Sequence, residues 1–318
     1  MKPRDFLLNR ALCTTAAVIV LTGFVQALPT CALAAGEPRF ASAEEAVNAV
    51  VTAAKAKDTN TLRSIFGPEG RGLASADVVQ ATDARDRFLR RLTEKVELVR
   101  VSDSKVTLQL GADGWPFPIP LVKEEGRWFF DTAAGREEIL NRRIGMNELG
   151  AIRVCRAYVD AQREYASQDR NGDEVLCYAQ QLRSTPGKRD GLYWRAEPEE
   201  ELSPFGPLIA QAKEEGYRRE TKIMTEAQSP YRGYYFKILT KQGRHAPGGK
   251  YNYVINGNMI GGFAFVAWPA QWGNTGIMTF IVNQQGKVYQ KNLGPKTASV
   301  VKTMQEYDPD NTWTLSKD

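Results

Sequence analysis

Histidine is almost missing from this chain. One residue, His245, serves all 318 positions. That excludes zinc centres built on several imidazoles and leaves any Ser-His-Asp or Cys-His mechanism with a single candidate base. His245 lies in Arg244-His245-Ala246-Pro247-Gly248-Gly249, between two predicted strands, and no partner motif accompanies it. It reads as a surface-loop histidine. The nucleophile, zinc and phosphate motifs GxSxG, HExxH and GxxxxGK[ST] are absent. No Lys/Arg block stands out, and a net charge of +5 is thin for the length, which speaks against nucleic acid as a partner. Repeats and low-complexity tracts are missing too.

What is there begins with an address. Lys2, Arg4 and Arg10 precede an apolar run from Ala11 to Val25, and Ala32-Leu33-Ala34 follows. Basic, apolar and small segments in that order predict a secretory signal peptide over residues 1–34, cleaved after Ala34 or nearby, and a periplasmic or secreted protein. The apolar run is short and interrupted by Thr14, Thr15, Thr22 and Gly23, so no membrane span is expected in the mature chain. Cys31 follows Leu28-Pro29-Thr30, a poor lipoprotein cleavage box, so lipidation is the lesser reading. Past the leader only Cys155 and Cys177 remain. An oxidising compartment favours a disulfide between them. A buried thiol on the apolar side of a helix is the other reading of Cys155.

Patterning predicts an α+β chain in two parts, residues 35–145 and 146–318. Ser42-Ala43-Glu44-Glu45 is a capping box ahead of Val47, Val50, Val51 and Ala54 at helical spacing. Helices are expected at Thr59–Phe66 and from Ala81 to about Lys95. Strands are expected at Val96–Val101, Ser104–Leu110, Ile119–Lys123 and Arg127–Asp131. Helices followed by an antiparallel sheet are similar to the NTF2-like fold. A long helical pattern then runs from Ala134 to Gln168, with a break expected near Gly145. A loop-rich stretch with a short helix at Pro207–Glu215 leads to a β-meander: Gly233–Thr240, Ile260–Trp268, Gly276–Asn283 and Lys287–Lys291.

The stretches DGWPFPIPLVKEEGRWFFDTAAGREEILNRRIGMNEL (113–149), STPGKRDGLYW (184–194), GYYFKILT (233–240) and GGFAFVAWPAQWGNTGIMTFIVNQQGKVYQKNLGP (261–295) resemble the bacterial domain-of-unknown-function 2950 family (DUF2950). The resemblance spans nearly all of the mature chain. It implies an exported bacterial protein and supplies no catalytic residues. From Asn147 onward, a long helix, a polar loop and a four-stranded antiparallel sheet resemble the soluble heads of type IV pilins and pseudopilins. The chain departs from them at its start, where a separate domain precedes the head.

Three constellations carry candidate chemistry. In DRNGDE, Asp169, Asn171 and Asp173 occupy positions 1, 3 and 5 of a calcium loop. Glu174 stands where that loop needs glycine, and Gln180 where it needs a bidentate glutamate. The other reading is a turn ending a helix, and calcium is the only cofactor contemplated. Asp131, Glu137 and Glu138 are acids of the type a glycosidase pairs. Trp115, Trp194, Trp268 and Trp272 mark aromatic-rich segments, read either as core or as a recognition surface for an envelope protein, peptide or glycan. The expectation is an exported binding or assembly module without catalysis of its own. An acid-dependent envelope hydrolase and a calcium-stabilised accessory of a secretion or pilus-like system are the alternatives.

Overall fold

Three helices with side-chain caps open the described chain. In the computed structural model, residues 38–170, 172–197, 199–217 and 230–317 are described; the predicted leader and Asn171 lie outside them. Helix α1 (Ala43–Lys55) starts at the expected capping serine, Ser42 Oγ accepting from the Glu45 N–H at 3.0 Å. Helix α2 (Thr59–Ile65) is capped by Asp58 and ends before Gly67, whose φ of 63° suits glycine. Helix α3 (Val78–Glu94) begins three residues before the expected Ala81, because Asp77 accepts from the backbone N–H of Val79 and Gln80.

Next come β1 (Val96–Ser102), β2 (Lys105–Leu110), β3 (Trp115–Pro116), β4 (Leu121–Glu124) and β5 (Arg127–Phe130). They form an antiparallel sheet in the order β1-β2-β4-β5, with β3 also on β2. Val106, Leu108 and Leu110 alternate inward, as their spacing predicts, and meet Val47, Val50 and Leu92 from the helices. Each such buried side chain contributes about 1.5–3 kcal/mol.

Helix α4 (Thr132–Tyr165) is continuous over 34 residues. The expected break at Gly145 does not occur, so residues 145 and 146 lie within one helix. A lone glycine costs a helix only about 1 kcal/mol, and tertiary bonds grip both sides of this one. Arg143 donates to the carbonyls of Leu73 and Ala74, and Asn147 Nδ2 donates to the Thr275 carbonyl at 2.8 Å. Glu148 Oε1 accepts from the N–H groups of Ile277 and Met278, both at 2.9 Å. From Gly150 onward Ala151, Cys155, Tyr158, Gln162 and Tyr165 are among the buried residues of the inner face.

The rest of the chain contains α5 (Gly206–Glu214), β6 (Tyr234–Leu239), β7 (Lys241–Gln242), β8 (Tyr251–Asn252), β9 (Val254–Ile255) and β10 (Asn258–Met259). After these come β11 (Ala264–Pro269), β12 (Met278–Asn283), β13 (Tyr289–Asn292), α6 (Thr297–Thr303), β14 (Glu306–Tyr307) and β15 (Thr314–Leu315). The main sheet runs β15-β13-β12-β11-β6, all antiparallel. It therefore has five strands where four were expected, because the C-terminal β15 joins its edge. Ala264 through Ala267 are fully buried, so both faces of the sheet are covered.

Strand alternation assigns the two faces. Tyr158 of α4 stacks on Phe265 at 4.0 Å, and Phe236 lies against the same ring. Lys237, next in the chain, points the other way and donates from Nζ to the carbonyls of Val301 and Met304, each at 2.7 Å. Helix α6 thus covers the face opposite α4. Val266 pairs with both Lys237 and Ile281, which puts Ile281 on the α6 face.

The two hydrophobic clusters meet at a polar seam. Asp77 Oδ1 caps α3, while Oδ2 accepts from the Tyr217 hydroxyl at 2.7 Å and the Gly233 N–H at 3.0 Å. Burial, then the adjacent Asp77 carboxylate, push the Tyr217 phenol well above its ordinary value. Arg232 pairs with Glu215 and stands over the Tyr231 ring. The chain is α+β throughout, and no described helix is long and apolar enough to cross a membrane.

Candidate binding cleft

The last turn of α6 and the strand after it build a cleft on the α6 face of the main sheet. Its volume is about 410 Å³, within the range of small-ligand sites. Ile281 lies beneath it; Thr303, Met304 and Gln305 form one wall; Glu306, Asp308 and Trp313 complete the lining. Lys237 positions the first wall, since its ammonium holds the last carbonyls of α6.

Each carboxylate in the cleft has a basic partner. Glu306 Oε1 lies 3.0 Å from Lys250 Nζ. Asp308 accepts twice from His245, from the backbone N–H at 2.8 Å and from ring Nδ1 at 3.0 Å. Arg244 Nε donates to His245 Nε2 at 3.2 Å, so the ring hydrogen sits on Nδ1 and points at Asp308. Gly243 lets this happen: a Cβ there would collide with the Asp308 side chain. The lone histidine therefore has the carboxylate partner that the sequence did not reveal, because the two are 63 residues apart. With Nε2 taken up by a guanidinium, it does not form a relay to a nucleophile.

Trp313 closes the cleft just before β15. Lys291 Nζ stands 5.8 Å from the centroid of its ring. Asp310, in the turn ahead of it, has its carboxyl held below the ordinary range by hydrogen bonds from Thr312, with Lys291 adding to the effect. Behind the cleft, Thr279 Oγ1, Asn283 Nδ2 and Tyr307 Oη are buried without a hydrogen-bond partner among the described residues. Thr279 and Asn283 flank Ile281 on the same strand face. Burial drives the Tyr307 phenol upward.

The tryptophans singled out in the sequence do not form one surface. Trp115 packs in the first cluster beneath Arg91 and Arg142, at 5.2 and 5.6 Å. Trp194 is buried between Arg170 and Arg189, both paired with Glu201, and its N–H is bonded to the Glu201 carbonyl. Trp268 packs on Tyr235, and Trp272 donates to Asn292 Oδ1. Trp313 was missed; a lone aromatic in the polar tail DPDNTWTLSKD is the signal that marks it.

The candidate acids are also dispersed. Asp131 caps α4 through the Ala134 N–H, and Glu138 pairs with Arg142; with Glu137 they are absent from the cleft lining. In DRNGDE, Asp169 accepts from the N–H groups of Gly172 and Glu174, both at 2.8 Å. Asp173 accepts from the Val175 N–H and from Asn258 Nδ2. Among the described residues no group of three or more His, Cys, Asp or Glu side chains could hold a metal ion; Asn171 is outside them. The expected Cys155–Cys177 bridge is not formed. Both are free, buried thiols with different surroundings: Cys155 is enclosed on the inner face of α4, and Cys177 neighbours Asp169 and Asp173.

Neither a curated protein nor a solved structure matches the chain. A family model described as Protein of unknown function (DUF2950) matches residues 37–315, and the chain belongs to that family.

Proposed function

We propose that this protein is an exported, non-catalytic binding module of the cell envelope and that the cleft beside α6 is where it takes its ligand. One observation carries the reading. The cleft combines an aromatic wall, a small apolar floor and a few polar groups, the usual make-up of a binding site. The basic residues N-terminal to an apolar run and Ala32-Leu33-Ala34 support export. Against hydrolysis by this site stands the engagement of both acids, Glu306 by Lys250 and Asp308 by His245.

The test is calorimetric titration of the protein with soluble envelope fragments, sugars and peptides, repeated on Trp313→Ala and Glu306→Gln. The reading expects binding that either substitution weakens, with the titrated fragment recovered intact. Binding indifferent to both changes places the site elsewhere. Cleavage of the fragment returns the hydrolase alternative.

A further inference from the structure

We infer that the cleft selects a neutral, hydroxyl-rich ligand, a carbohydrate segment, rather than a cationic peptide. This rests on the cleft being the binding site and adds what it binds. Charge decides between the two classes. The Glu306 carboxylate is matched by Lys250. Asp308 accepts from the backbone N–H and the ring Nδ1–H of His245, whose far nitrogen accepts from the Arg244 guanidinium. A cation entering the cleft meets the Lys250 ammonium at Glu306 and the Arg244 guanidinium behind His245, and an anion finds two carboxylates lining it.

The remaining valences suit hydroxyl groups. The Gln305 side-chain amide, Trp313 Nε1 and Glu306 Oε2 make no hydrogen bond among the described residues. Together they offer donors and acceptors side by side, which is what a group able both to give and to take a hydrogen bond can satisfy. Lys291 stands over the Trp313 ring, whose apolar body also borders the cleft. Apolar ring plus mixed polar rim matches a sugar, which has a C–H face and a hydroxyl edge. Ile281 and Met304 alone are too little apolar surface for a lipid chain.

The experiment titrates the protein with two probes, the neutral trisaccharide of N-acetylglucosamine and trilysine, at low and high sodium chloride. The expected result is trisaccharide binding that salt leaves unchanged. Gln305→Ala should weaken it severalfold and Trp313→Ala at least tenfold. Trp313→Phe, which keeps the ring body and removes the N–H, serves should the alanine variant fail to fold, with an intermediate loss expected. Salt-sensitive trilysine binding lost in the Trp313 variants overturns the carbohydrate assignment and leaves the cleft as the site. Trisaccharide binding untouched by every variant, or no binding of either probe, overturns both.

Discussion

Asp77→Ala should be among the most damaging single substitutions in the molecule. The side chain is 2% exposed and accepts four hydrogen bonds. Truncation removes the α3 cap, worth about 1 kcal/mol. It also leaves the Tyr217 hydroxyl and the Gly233 N–H without an acceptor, at about 1–3 kcal/mol each. The total is about 3–7 kcal/mol, a large part of the ~5–15 kcal/mol that holds a folded domain. Asp77→Asn retains Oδ1 as the cap and can donate its amide to Tyr217, so only Gly233 is orphaned; about 1–3 kcal/mol is expected. Urea unfolding followed by tryptophan fluorescence measures both. The double variant with Tyr217→Phe should cost less than the sum of the singles by at least ~1 kcal/mol, since the partners share a bond. An alanine variant within ~0.5 kcal/mol of the parent, or an asparagine variant as damaged as alanine, refutes the accounting.

Other outcomes follow from single sites. Gly233→Ala should destabilise by about 2–4 kcal/mol in the same assay, because φ is 75° and the new Cβ would stand 2.5 Å from Asn147 Nδ2. Burial pushes both thiols up, so the folded protein truncated to begin at Ala35 should react slowly with a thiol reagent and yield both cysteines only once unfolded; none released without reductant would establish a bridge. Asp169→Ala removes the acceptor for Gly172 and Glu174 and should lower stability by about 1 kcal/mol with or without calcium; a calcium-dependent rise in Tm that this change abolishes would instead identify a cation loop. The depressed Asp310 carboxyl stabilises its turn above the ordinary value of 3.8 and ceases to as pH falls through its lower folded value; Trp313 emission should shift in that acidic window in the parent and not in Asp310→Asn.

Elements with dense local signals were legible from sequence. Alternation at Val106, Leu108 and Leu110 placed β2 within a residue, and the Ser42 box placed α1. The continuity of α4 was hidden because it depends on Arg143, Asn147 and Glu148 reaching Leu73, Thr275 and Ile277, contacts between distant parts of the chain. Helix α6 and strands β14 and β15 span two to seven residues, too short for a periodicity to show. They are held by tertiary groups, Lys237 first among them. The cleft was missed for the same reason. Its acids look like ordinary surface residues until the fold delivers Lys250 and His245 to them.

Helix α4, at 1.5 Å per residue, is about 51 Å long. Its leading turns belong to the first sheet's neighbourhood and its trailing turns to the second's, so it works as a common axle. Cutting the gene at the apparent midpoint would strip each half of a strut and expose a stripe of small and aromatic side chains to water. Fragments for biochemistry should therefore keep this rod whole, and a tilt of its leading end would be transmitted to the sheet whose opposite side carries the cleft.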